Sequence, residues 1–157
     1  RGKKVAFGDP SSTSSSLIPR LEMKKAGIDW RKDVQAQFTG GHDAVLAAVA
    51  NGSAEVGFLD SAIFENSLSK KMPDAYAKVR VAWKSAELYQ YPWAHRKDLP
   101  ADLVERLREA FLKVTDPTIL AAFGATGFTA TDDSKYGDVR EAAAELGIDL
   151  KRERLAK

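Results

Sequence analysis

The sequence contains no cysteine. A disulfide scaffold, a thiolate zinc site, an iron–sulfur cluster and a cysteine nucleophile are excluded together. No stretch approaches 18 consecutive apolar residues, so no segment has the pattern of a membrane-spanning helix. The basic start Arg1-Gly2-Lys3-Lys4 is not followed by an apolar signal segment. An excess of one charge is also missing: 24 Lys plus Arg stand against 22 Asp plus Glu, a formal net charge of +2. Tracking a nucleic-acid backbone needs a concentrated basic surplus, so no nucleic-acid partner is expected. That balance leaves room for a site that holds one small anion. With 44% hydrophobic and 29% charged residues the composition is globular, and 157 residues suffice for one domain or two small lobes.

Strand and helix patterns alternate through the first half. Val5-Ala6-Phe7 leans to a strand and is stopped by Gly8-Asp9-Pro10. Six hydroxyl residues follow, Ser11 to Ser16, before Leu17, Ile18, Leu21 and Met23 recur at helical spacing and end at Gly27. Pro19 is tolerable near the start of that helix. A second unit runs from a strand at 34–38 through Thr39-Gly40-Gly41 to a helix from His42 to Ala50, closed by Asn51-Gly52. Strands at 55–59 and 79–83 flank a helical stretch at 61–69. This order predicts an α/β fold of βαβ units with a mostly parallel sheet, its strand-to-helix turns along one edge. From Ala101 the chain is mainly helical, with Val104, Leu107 and Phe111 on one helix face. The aromatic stretch Tyr89–Trp93 marks the boundary between a first part, residues 1–91, and a second, residues 92–157.

The hydroxyl turn is the first candidate site. A helix N-terminus presents unpaired N–H groups and about half a positive charge, and hydroxyls there add further donors for an oxyanion. One serine is enough for a cap; six consecutive hydroxyls exceed that need, and cap and anion cradle both stay open for Ser12, Thr13 and Ser14. His42 opens the second helix after two glycines that allow close approach to the backbone. It reads either as a surface cap or as a ligand-facing imidazole, disfavoured as the cation by the helix N-terminus and favoured by a bound anion. Asp60 follows the third strand. It reads first as a cap, and otherwise as an acceptor for a protonated oxyanion. All these turns fall where open α/β sheets place their ligands.

A serine, a histidine and an aspartate also invite a hydrolase reading with Ser12 or Ser14 and His42. No Gly-x-Ser-x-Gly surrounds the serines, and three hydroxyls in one turn suit binding better than one nucleophile. Gly-x-Gly-x-x-Gly and Walker-type patterns are absent. His95 has no metal-ligand partner at useful spacing, so no metal or cofactor is expected. Trp30, Trp83 and Trp93 read as core or hinge packing, and Lys151-Arg152-Glu153-Arg154 as a solvated end.

Four stretches resemble the phosphate/phosphite/phosphonate-binding proteins of ABC transporters, which have the type II periplasmic binding fold. They are Phe7-Gly8-Asp9-Pro10-Ser11-Ser12-Thr13-Ser14, Gly40-Gly41-His42-Asp43-Ala44, Ala47–Gly52 with Glu55-Val56-Gly57, and Tyr91–Pro100. The resemblance covers nearly the whole chain. It implies two α/β lobes of three-layer sandwich type that close on an oxyanion, with Ser12, Thr13 and Ser14 as the ligand-binding hydroxyl turn and His42 as the ligand-binding histidine. Residues 1–91 would be the complete second lobe, and 92–157 the hinge return with C-terminal helices of the first. The expected protein is not an enzyme. It is the extracytoplasmic, periplasmic solute-binding component that delivers phosphite, phosphate or a phosphonate to permease subunits. Members that take aminoalkyl phosphonates pair the ammonium with acidic residues, at positions that fall near Ala62 and Gln90 here, neither of them acidic. That implies a ligand without an amine. The early half of the first lobe has no counterpart, which points to a fragment or split protein. A missing segment or second chain would then cover Val104, Leu107 and Phe111. The same fold also serves as a sensor domain of signalling proteins, and that alternative stands beside transport.

Overall fold

Three parallel strands meet around β1 (Lys4–Phe7), whose apolar run Val5-Ala6-Phe7 is buried on both faces, as the central strand of a parallel sheet should be. The computed structural model describes residues 1–89 and 91–149; Gln90 and the stretch Lys151–Arg154 lie outside the described residues. β2 (Gln35–Phe38) and β3 (Val56–Gly57) flank β1 in the order β2-β1-β3, with Phe7 opposite Phe38 and Ala6 opposite Gly57. Ala6 packs with Val45, Ala48 and Ala54. Pleat alternation sends Val5 and Phe7 to the other face, where Phe7 stacks on Phe38 and Phe58 at 5.4 Å each and meets Trp30 edge-on at 6.0 Å.

Helical winding begins earlier than the sequence pattern predicts. A π-helical segment, Thr13–Leu17, runs directly into α1 (Ile18–Lys25). Pro19 explains part of this junction. It has no N–H to give to the Ser15 carbonyl one turn back, and that carbonyl instead accepts from Gly8 N–H at 3.2 Å. Gly27, at φ 70°, closes α1 in a Schellman arrangement, Ile28 N–H to Met23 O and Gly27 N–H to Lys24 O. α2 (His42–Ala50) has the predicted limits and buries Val45, Leu46 and Ala48. A second π-helical segment, Ile63–Leu68, leads into two short turns, α3 (Ser69–Lys71) and α4 (Pro73–Tyr76). Leu46, Phe64 and Leu68 form a second core cluster there.

The strand expected at 79–83 does not form: Val81 and Trp83 are 50% and 52% exposed, and β propensity without cross-strand packing does not hold a strand. The strand expected at 55–59 is regular only over Val56–Gly57, although Glu55 N–H and Phe58 N–H also donate to β1, at Lys4 O and Ala6 O.

The chain divides into two compact units. The first comprises Arg1–Lys84 together with the segment that begins at Gly137, and the second is Ser85–Tyr136. The sequence boundary near Tyr89–Trp93 falls close to this division, but α7 (Gly137–Glu145) groups with the first unit. Ala142 and Ala143 of α7 are buried, and Lys24 of α1 donates to the Glu145 carboxylate at 2.7 Å and to its carbonyl. The second unit carries α5 (Ala101–Leu112) and α6 (Pro117–Ala122), the latter capped by the Asp116 carboxylate. Phe111, expected on an open face, is half-buried against Trp93 at 4.7 Å and Phe128 at 5.3 Å, whereas Leu107 is exposed. Among the described residues no helix is long and apolar enough to cross a membrane.

Candidate anion-binding site

The carboxyl ends of the three strands feed three turns, each opening a helical segment. Those turns are tied to one another. Thr39 donates its N–H and its hydroxyl to the Phe7 carbonyl at 2.9 and 3.0 Å, and Gly40 N–H reaches Gly8 O at 3.4 Å. On the other side, Asp60 N–H donates to His42 Nδ1 at 3.4 Å. The parallel order with β1 in the centre therefore places the hydroxyl turn between the His42 and Asp60 turns along the edge.

The six hydroxyls divide by task. Asp9 organises the turn, its Oδ1 accepting from Ser11 N–H at 2.8 Å and from the Ser11 hydroxyl. Ser12 is the cap: its Oγ accepts from Ser15 N–H at 3.3 Å, which leaves its hydroxyl proton free to be donated. Ser16 donates to the Pro10 carbonyl at 3.1 Å, and Ser15 and Ser16 are buried. Thr13 and Ser14 are half-buried, and among the described residues their hydroxyls make no hydrogen bond. They stand in the first turn of the winding, where backbone N–H groups also lack intrahelical partners.

His42 follows Gly40, at φ 88°, a conformation that favours glycine. Its ring is half-buried, and burial pushes its pKa below the ordinary 6.5 against the opposing pull of the Asp60 and Asp43 carboxylates. Because Nδ1 accepts the Asp60 N–H, the neutral ring carries its proton on Nε2, a donor. The Asp60 carboxylate accepts from Ile63 N–H at 3.0 Å and so caps the helical run that begins at Ser61 and leads into the second π-helical segment. Both readings of Asp60 at the sequence level concerned its carboxylate. Its backbone N–H is what meets the histidine.

Arg20 was not singled out by the sequence reading. It is only 7% exposed and donates from Nε to Ser16 O at 3.2 Å and from Nη2 to Pro10 O at 3.0 Å. The available signal was an arginine inside the apolar run Leu17-Ile18-Pro19-Arg20-Leu21, one turn after the hydroxyls.

A family model described as "ABC transporter, phosphonate, periplasmic substrate-binding protein" matches residues 1–136. The chain is 27% identical over 154 residues to the "Probable ABC transporter phosphite binding protein" of Prochlorococcus marinus, covering 91% of this chain and 52% of that protein. It is 27% identical over 146 residues to the phosphate-import protein of Mycolicibacterium smegmatis, covering 88% of this chain and 44% of that one. Among solved structures, the Prochlorococcus marinus protein in complex with methylphosphonate superposes with a TM-score of 0.83 at 26% identity, over 94% of this chain and 58% of that chain. A binding protein component of an ABC phosphonate transporter from Pseudomonas aeruginosa gives 0.73 at 25% identity, over 93% and 50%. The chain spans about half the length of the curated relatives it matches. With an α/β fold built on a parallel sheet and a family match over most of its length, this chain belongs to the periplasmic substrate-binding proteins of ABC phosphonate transporters.

Proposed function

We propose that this chain supplies the anion-binding turns of a solute-binding protein that captures a small phosphorus oxyanion for ABC permease subunits in the periplasm. Phosphite, phosphate and methylphosphonate are the ligand candidates. The observation that carries the reading is the set of donors at one sheet edge that are unengaged among the described residues: the Thr13 and Ser14 hydroxyls, the Ser12 hydroxyl proton and His42 Nε2–H. Neutral donors at helix N-termini stabilise an oxyanion without a full counter-ion, because their dipoles are already oriented when the ligand arrives. The names of the relatives and the methylphosphonate complex support the phosphorus chemistry. The absence of acidic side chains at Ala62 and Gln90 favours a ligand without an amine. In this reading residues 1–91, joined by α7, form the second lobe of the binding protein, and the stretch from 92 to 136 returns towards the first.

Calorimetric titration of the full chain with phosphite, phosphate, methylphosphonate and an aminoalkyl phosphonate tests the proposal. One of the first three is expected to bind with micromolar or tighter Kd, and the aminoalkyl phosphonate at least about tenfold more weakly. Ligand at about 100 Kd should stabilise the fold by about 2.7 kcal/mol. No heat and no thermal shift with any of the anions at millimolar concentration would refute it.

A further inference from the structure

We propose that Arg20 is a positioning residue of the anion site, acting through the Pro10 carbonyl to hold the hydroxyl turn in its binding geometry; the proposal rests on the oxyanion reading above. A charged side chain is rarely this deeply buried, and a guanidinium presents donors in a fixed fork rather than at one point. Here the fork joins two carbonyls: Nη2 reaches Pro10 O at 3.0 Å and Nε reaches Ser16 O at 3.2 Å. The Ser16 hydroxyl donates to the same Pro10 carbonyl at 3.1 Å. Pro10 lies two residues before the Ser12 cap, so the turn is held on one side by Asp9 and on the other by Arg20 and Ser16.

The guanidinium also lies over the Trp30 ring, 5.2 Å from its centroid. Trp30 in turn meets Phe7 and Phe38 edge-on, and these are the last residues of β1 and β2 before the Gly8 and Thr39 turns. One side chain thus connects the hydroxyl turn to the strand ends on which two of the site's turns are mounted.

The test is ligand affinity against ligand-free stability in the full chain, for Arg20→Met, Arg20→Lys, Ser14→Ala and the double variant Arg20→Met/Ser14→Ala. The probe is whichever of phosphite, phosphate or methylphosphonate the native chain binds best. Arg20→Met is expected to raise Kd about tenfold at a temperature where it remains folded, and Arg20→Lys, with one donor point, by about three- to tenfold. In the Ser14→Ala background the effect of Arg20→Met should shrink to less than about threefold, because both act through one turn. A lowered Tm with unchanged Kd, or an equal loss in both backgrounds, overturns the positioning role. If Arg20→Met does not fold, Arg20→Lys decides alone, a Kd within about twofold of native overturning the role. Native chain that binds none of the three anions overturns the oxyanion reading and this role together, whereas native binding with unaffected Arg20 variants overturns this role alone.

Discussion

An alanine at position 8 would place a methyl group where there is no space. Its Cβ falls 2.2 Å from Ser15 Oγ and 2.9 Å from Ser15 Cβ, well inside the ~3.5–4.0 Å at which carbon atoms pack favourably. Gly8 has no positive φ to protect, unlike Gly40, so the cost is steric. Ser15 cannot step aside easily. It is 1% exposed, its carbonyl accepts from Gly8 N–H, and its own N–H is held by Ser12 Oγ. Overpacking of this kind costs about 1–3 kcal/mol. For a chain of 157 residues each kcal/mol corresponds to about 2–4 °C in Tm, so Gly8→Ala should melt about 2–12 °C lower. Urea unfolding should show a lower midpoint with an unchanged slope.

A double-mutant cycle separates the clash from other effects. Ser15→Gly removes both atoms in conflict, at a helix-propensity cost of about 1 kcal/mol. The Gly8→Ala/Ser15→Gly pair should then be more stable than the sum of the single changes by at least about 1 kcal/mol. Anion affinity should fall in Gly8→Ala and recover in the pair, because the Ser12 cap rides on the same contact. A Gly8→Ala chain that melts within about 1 °C of native, or a pair that is simply additive, would show that the close approach of Gly8 and Ser15 does not hold this turn.

Thr13→Val and Ser14→Ala should leave the ligand-free Tm within about 2 °C while raising the anion Kd about 10- to 150-fold each, the worth of a hydrogen bond to a charged group, by calorimetry. Ser12→Ala should behave differently, costing about 1 kcal/mol of stability in a urea melt because a cap is lost. For His42 the sign follows from burial: its folded pKa lies below 6.5, so the unfolded chain takes up the proton first as pH falls. Its contribution is therefore fully favourable above about pH 6.5 and is lost as pH drops towards the folded pKa. Urea midpoints of His42→Gln should accordingly fall less steeply below pH 6.5 than those of the native chain, and parallel slopes would contradict this.

Local signals were legible where the deciding partners are close in sequence. Gly40-Gly41 before His42 and Asn51-Gly52 after Ala50 bracket α2 correctly, because N-terminal and C-terminal glycine chemistry needs no tertiary context. Val79–Trp83 misled for the opposite reason: valine and tryptophan fit a strand, but pairing depends on cross-strand packing that no local pattern reveals. The hydroxyl stretch read as a turn through Ser16, yet winding starts at Thr13. Serine side chains often compete with the helix for backbone groups, whereas here the Ser12 cap and the Ser16 bond to Pro10 both favour the helix. The Phe38-Phe7-Phe58 row was illegible because it depends on strand register, whereas Arg20 bonds to Ser16 and Pro10 nearby and left a local trace as an arginine inside an apolar run. His42 and Asp60 were assigned to one edge from topology alone, but which atom of Asp60 meets the ring depends on how β3 sits against α2.

That last atom separates two kinds of chemistry available to Ser12 or Ser14, His42 and Asp60. In a hydrolytic triad the imidazole donates Nδ1–H to a carboxylate, which leaves Nε2 unprotonated to take the proton of a serine. The arrangement here is the reverse: Asp60 offers His42 Nδ1 a backbone N–H, and its carboxylate is engaged at Ile63 N–H. With Nδ1 an acceptor, the neutral ring holds its proton on Nε2 and has no lone pair there to act as base. Burial keeps the ring neutral near pH 7, so the donor is present without a full charge. Among the described residues, the groups left open at this edge can each give a hydrogen: the hydroxyls of Ser12, Thr13 and Ser14, the first-turn amides, and His42 Nε2. With Nε2 protonated the ring offers no base to a neighbouring serine. Its N–H, the first-turn amides and hydroxyls free to turn their protons outward complement an acceptor-rich oxyanion better than they complement a nucleophile in need of activation.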